Sequence, residues 1–240
     1  SLRRRLERSD PGTHEPLLAQ LLSILERDPS RTLELPALRE RYLVLRPGDV
    51  DLLLQVADDR GRRGKLRERN EAWASAFRFA DEDDPRLAGP ALELGRASAD
   101  LGDLDAADLY LTRAQKLAGD PLEAIDARLE IARLRADAAA ILELAGLRLD
   151  LSDRARIRAS LRVEMARAHT ELGDLDDAAN CWARAVEERR GDEQAERDLT
   201  AAWLEWATSL EDADSPAGTA RELEARARMR AAWGDALAPS

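Results

Sequence analysis

Two stretches of the chain carry the same arrangement of apolar and polar positions, and each predicts a helix, a glycine turn and a second helix. In residues 92–118, Leu94, Ala97/Ser98 and Leu101 recur at i, i+3/i+4 and i+7, one face of an α-helix. Gly102 follows, where a left-handed residue commonly ends a helix. Asp105 is expected to accept hydrogen bonds from the free N–H groups that open the next helix. Ala107, Leu111, Ala114 and Leu117 form that helix's apolar stripe. The small Ala107 and Ala114 permit close helix approach, and Leu111 fills the space between them. Residues 163–189 repeat the pattern as Met165, His169, Leu172, Gly173, Asp176, Ala178, Trp182 and Ala185.

The two stretches align without a gap at an offset of 71, with eleven identities in 27 positions centred on a shared Leu-Gly-Asp-Leu-Asp. Fainter copies lie outward. Residues 50–83 carry Val56-Ala57, Gly64, Leu66, Trp73 and Ala76, with Arg69 in place of a small residue. Residues 16–49 end on Leu45-Arg46-Pro47-Gly48-Asp49. Residues 122–158 read as a unit stretched by three residues, which makes the offset 71 rather than twice 34. A linker at 84–87 contains Pro85. Residues 193–236 read as two longer helices broken at Asp214-Ser215-Pro216, an atypical terminal unit of the kind that caps a stack.

The units resemble the tetratricopeptide repeat. Leu94-Gly95, Ser98, Gly102-Asp103, Ala107, Leu111 and Ala114 match that family's 34-residue motif in order, as do Met165-Ala166, His169, Gly173-Asp174, Ala178, Trp182 and Ala185. Ser98 and His169 replace its Tyr-like residue, and Gly119 and Arg190 stand where its closing Pro is usual. The resemblance implies an all-α superhelical solenoid of about six helix-turn-helix units (16–49, 50–83, 88–121, 122–158, 159–192 and 193–236), the last a longer capping pair.

Composition agrees with helices. Charged residues make up 35% of the chain, Ala and Leu dominate its apolar set, and β-branched residues are sparse, which disfavours a sheet. The net charge of −11 disfavours nucleic acid as a partner. That charge is uneven: residues 1–80 hold 16 basic and 13 acidic side chains, and the rest hold 21 and 35. Only Lys65 and Lys116 are lysines, which reads first as a compositional bias of the source genome. The single cysteine, Cys181, permits no intramolecular disulfide and fits a reducing, cytoplasmic setting. No apolar run is long enough to span a bilayer. The start, Ser1-Leu2-Arg3-Arg4-Arg5-Leu6, lacks a signal-peptide core and an initiator Met, so a piece of a longer polypeptide is expected.

Catalytic inventory is thin. His14 and His169 lie in different units, no spacing suits a metal, and Gly61-Arg62-Arg63-Gly64-Lys65 lacks the full phosphate-loop pattern. His169 and Cys181 read as packing residues, and Asp58-Asp59 and Asp83-Asp84 as solvated turns. No catalytic residue, cofactor or metal is expected. The resemblance implies partner binding in a concave groove lined by the first helix of each unit. The corresponding positions are Leu92, Arg96, Ala99 and Asp100, then Asp126, Glu130 and Arg133, then Val163, Arg167, Thr170 and Glu171. They lie off the core stripe, so packing within the stack is not expected to use them. The family's lysine-asparagine carboxylate clamp has no counterpart at Leu92, Glu93 and Arg96 or at Val163, Glu164 and Arg167. A secondary basic patch is Arg60, Arg62, Arg63, Lys65 and Arg67, continuing to Arg69, which reads first as a solvated turn because no aromatic residues interleave it.

The expected function is a non-catalytic protein-interaction scaffold whose partner is a protein or peptide, with self-association a further option. The alternative is a sensor or regulatory segment of a larger signalling or defence enzyme whose effector domain lies elsewhere.

Overall fold

The computed structural model describes residues 14–27 and 34–209. Among them the chain forms eleven α-helices and no strand. They are α1 (His14–Glu26), α2 (Leu35–Leu45), α3 (Val50–Arg62), α4 (Leu66–Phe79), α5 (Ala88–Asp100), α6 (Leu104–Leu117), α7 (Leu122–Leu134), α8 (Ala138–Asp150), α9 (Ala155–Leu172), α10 (Leu175–Glu188) and α11 (Glu193–Ser209). A 3-10 turn, Pro85–Leu87, lies between α4 and α5. The expected break at Asp214-Ser215-Pro216 and the second capping helix fall outside the described residues.

The chain divides into two compact units, Ser1–Gly119 with α1–α6 and Asp120–Ser240 with α7–α11. Within each, a helix packs on its neighbours in sequence, most closely in the hairpins α3/α4, α5/α6 and α9/α10. That nearest-neighbour layering is the arrangement of an α–α solenoid.

One turn recurs four times and sets the hairpins. Gly64, Gly102, Ala136 and Gly173 each adopt a left-handed backbone, with φ of 73°, 79°, 51° and 83°. At Gly102 the N–H of Asp103 donates to the Ser98 carbonyl at 2.9 Å, and that of Gly102 to the Ala99 carbonyl at 2.9 Å. The same pair of bonds closes the turns at 64, 136 and 173, satisfying carbonyls the helix end would leave orphaned. The next residue starts the second helix. Asp103 accepts from the Ala106 N–H at 3.1 Å and Asp137 from Ala140 at 3.0 Å. The capping residue is therefore Asp103, not Asp105, because the left-handed residue reverses the chain in a single step. Asp174 occupies the equivalent place without a side-chain cap bond.

Spacing between turns locates the departures from a 34-residue period. Gly102 and Ala136 are 34 apart, whereas Gly64 and Gly102 are 38 apart and Ala136 and Gly173 are 37 apart. The first surplus is the linker with its 3-10 turn. The second lies in α9, which has 18 residues where α5 and α7 have 13. The three extra residues expected in 122–158 thus appear as an added first turn of α9.

Small residues decide how near the hairpin helices come. Ala107 and Ala178 are fully buried. A Cβ on Gly95 of α5 would stand 2.5 Å from Leu111 Cγ, so only glycine admits this approach. In α9/α10 the matching pair is Ala166 and Trp182, both in a cluster with Cys181, Val186, Trp203 and Ala207.

One buried charge holds the first three helices. Arg39 of α2 donates to Asp59 of α3 at 3.0 Å and to Glu26 of α1 at 3.1 Å. Burial alone would lower the Arg39 pKa, but the hydrogen bonds and charges of Asp59 and Glu26 outweigh it and raise the value. Asp59 is a buried helical residue, correcting its reading as a solvated turn, since only a paired carboxylate is stable there. Asp84 likewise caps the 3-10 turn, accepting from the Arg86 N–H at 3.0 Å.

Candidate functional site

The expected groove positions separate into three kinds. In α5, Arg96 is 47% exposed and lies 3.8 Å from Glu93, Asp100 is exposed, and Leu92 is half-buried. In α9, Arg167 and Glu171 are exposed, but Val163 packs against the cluster around Trp182 and Trp203. The Thr170 hydroxyl accepts from Trp206 Nε1 of α11 at 2.8 Å and donates to the Ala166 carbonyl at 2.8 Å. The expectation that packing does not use this stripe is therefore overturned at Val163 and Thr170: α11 covers them. Trp182 and Trp206 meet there with ring centroids 6.5 Å apart. Arg96 and Arg167 belong to different compact units.

The third set, on α7, is committed to ion pairs. Arg133 donates to both carboxylate oxygens of Glu164 on α9, at 2.6 and 2.8 Å, and to Glu130 at 2.9 Å. The bond to Glu164 raises the Arg133 pKa against the cost of burial, and Glu130 adds to it. Asp126 accepts from Arg148 Nε of α8 at 2.6 Å. These pairs tie α7 to α8 and α9, and Arg133 and Asp126 also form part of the wall of an open cleft.

That cleft, of about 370 Å³, is lined by Asp126, Leu129 and Arg133 of α7, Arg148 of α8, and Arg156, Ile157, Ser160 and Leu161 of α9. Leu129 and Leu161 are core residues at its floor, Ile157 is half-buried, and Arg156 and Ser160 are exposed. Arg156 forms no ion pair among the described residues. The family resemblance singles out Asp126 and Arg133 but misses Arg148, Arg156, Ile157 and Ser160. The signal available for Arg156 and Ile157 is the added turn of α9, which breaks the repeat and supplies them.

Most of the basic patch is paired with nearby carboxylates. Arg60 lies 3.5 Å from Glu40, Arg62 3.7 Å from Asp59, and Arg67 3.2 Å from Glu71. Lys65 lies 2.9 Å from Glu68. Arg69 stacks on Trp73, its guanidinium 4.2 Å from the ring centroid, and Arg63 is exposed. Such an array is a salt-bridge-laced surface rather than an electrostatic platform.

Cys181 is buried in the α9–α11 cluster, and burial pushes its thiol pKa up. His169 is mostly buried on α9, and its Nδ1 stands 3.7 Å from Asp174 without a hydrogen bond. No cluster of His, Cys, Asp or Glu suited to a metal occurs among the described residues, and none of the described helices is long and apolar enough to cross a membrane. No protein-family model and no curated protein matches the chain.

Proposed function

We propose that this chain is a non-catalytic protein-interaction module of tetratricopeptide type. The open cleft of α7, α8 and α9 carries the reading: it joins an apolar floor to a wall of arginines, a combination that suits side chains of a polypeptide. The repeated left-handed turn and aspartate cap support the family resemblance, since they fall where the motif's Gly-Asp falls. The layered helices supply a stiff frame, so a partner segment pays little ordering cost on the protein side.

A photo-crosslinking residue tests the proposal. Placed at Ser160 on the cleft rim, it should give adducts in a lysate of the source cells that excess unlabelled chain competes away. The same group at Leu109 of α6, an exposed site outside the cleft, should give none. Equal labelling at both sites, or none at either, would overturn the reading.

A further inference from the structure

We infer that the cleft takes a short acidic peptide segment, one carboxylate beside one aliphatic side chain, and that Arg156 is the residue that reads the carboxylate. The inference rests on the interaction-module reading and names the chemistry of its partner.

Charge accounting within the cleft gives the argument. Three of its lining residues are arginines and one is an aspartate, in a chain whose net charge is −11. The arginines are not equivalent. Arg133 already holds two carboxylates, Glu164 and Glu130, and Arg148 holds Asp126. Arg156 holds none among the described residues and is exposed at the cleft wall. Arg156 is therefore the one guanidinium of the cleft lining without a carboxylate partner among the described residues, so it is the group left to meet an incoming carboxylate. A guanidinium favours a carboxylate because its planar fork can meet both oxygens. Arg156 stands one residue from Ile157 and on the same helical turn as Ser160, above Leu129 and Leu161. A carboxylate held there would place a neighbouring aliphatic group against Ile157. A space of about 370 Å³ matches two or three side chains rather than a folded domain or a large cofactor.

Local sequence supports the assignment. Arg156 and Ile157 belong to the turn that lengthens α9 beyond α5 and α7. That turn is not needed to close the hairpin α9/α10, whose left-handed turn at Gly173 has the same bonds as its shorter relatives. The neighbouring Arg158 and Arg162 serve packing instead, both donating to Glu188 of α10, at 2.9 and 3.1 Å.

Backbone NMR of the full chain, titrated with blocked tetrapeptides, tests the proposal. Acetyl-Gly-Leu-Glu-Gly-amide should shift the amides of Arg156, Ile157 and Ser160 saturably. The Gly-Leu-Gln-Gly analogue, and the chain carrying Arg156→Gln, should each bind at least about ten-fold more weakly, the loss of one charge-assisted contact. Arg154→Gln, at the exposed start of α9 and outside the cleft wall, should bind as the parent does. Equal binding of the glutamine peptide, identical shifts from sodium acetate alone, or displacement of the peptide by a short oligothymidylate would each overturn the assignment, as would shifts confined to other helices. If the Ser160 crosslinks form while the peptide fails, the acidic-segment inference falls and the module reading stands; if both fail, both fall.

Discussion

The same substitution, glycine to alanine, should have opposite effects at two helix interiors in this chain. Alanine exceeds glycine in helix propensity by about 0.8–1.0 kcal/mol. At Gly146 of α8 a new Cβ would meet no atom within 4 Å, so Gly146→Ala should stabilise by about that amount. At Gly95 of α5 the Cβ would meet Leu111 Cγ at 2.5 Å, Leu111 Cδ2 at 2.7 Å and the Ala107 carbonyl oxygen at 3.2 Å. Leu111 is wholly buried, so its side chain has no solvent to retreat into. Overpacking of this kind costs about 1–3 kcal/mol, which equals or exceeds the propensity gain. The propensity contribution is common to both sites, so the difference between the two stability changes isolates the overpacking cost at about 1–3 kcal/mol. Leu111→Ala in the Gly95→Ala background should remove the clash, which a double-mutant cycle reports as favourable coupling. Urea unfolding followed by far-ultraviolet circular dichroism supplies the midpoints, and hydrogen exchange at α5–α6 and α8 reads each layer separately. Gly95→Ala stabilising as much as Gly146→Ala would refute the close approach of α5 and α6.

Ala136 adopts the left-handed conformation that glycine holds at three equivalent turns, so Ala136→Gly should raise stability by about 0.5–1 kcal/mol, measured as a higher urea midpoint. Asp59→Ala leaves Arg39 buried with Glu26 alone and should cost about 2–4 kcal/mol, whereas the pair Arg39→Met with Asp59→Leu should stay within about 1 kcal/mol of the parent in the same assay. Cys181 is buried with its pKa raised, so iodoacetamide at about pH 8 should label it far more slowly than free cysteine, with denaturant restoring the ordinary rate.

The hairpins were legible because their signals are local. Gly102-Asp103 and Gly173-Asp174 announce a left-handed turn followed by a helix start, and Ala107, Leu111 and Ala114 fall on one stripe whatever surrounds them. The turn at 136 was obscured because alanine carries no turn signature, although its hydrogen bonds match those of its glycine relatives. Contacts between hairpins were not legible. Periodicity separates one helix face from another but does not say that α11 covers Val163 and Thr170 of α9, because that depends on where the next helix lies. Nor does it show that Asp59 of the run Asp58-Asp59 is buried, since its partner Arg39 is 20 residues away. In the cleft, Arg133 stood out through the family resemblance while Arg156 did not, because Arg156 has no counterpart in the shorter helices α5 and α7.

The two departures from the 34-residue period have different physical outcomes, and that difference tells structure from function. The surplus between Gly64 and Gly102 is absorbed internally. Leu87 is fully buried, Asp84 caps the 3-10 turn, and Arg86 pairs with both Asp84 and Asp51 of α3. Arg113 of α6 donates to the Asp81 carbonyl at 2.8 Å, and Lys116 lies 2.7 Å from Asp83. Asp83, Asp84 and Arg86 each find a charged partner within their own unit, so the insertion is explained by the contacts it makes. The surplus in α9 is absorbed only in part. Arg158 bonds Glu188 and the carbonyls of Leu149 and Ser152, anchoring the added turn to α8 and α10. Arg156 sits on that same anchored turn, exposed beside an apolar floor and without a carboxylate among the described residues. Holding a long cationic side chain at a rigid cleft wall gains the fold little, because an exposed arginine contributes almost nothing to stability. Arg156→Gln should therefore leave the urea midpoint unchanged within about 0.5 kcal/mol while weakening the acidic peptide. A destabilisation well beyond that would show that Arg156 serves packing, as Arg158 does, and would remove the reason for assigning it to a partner.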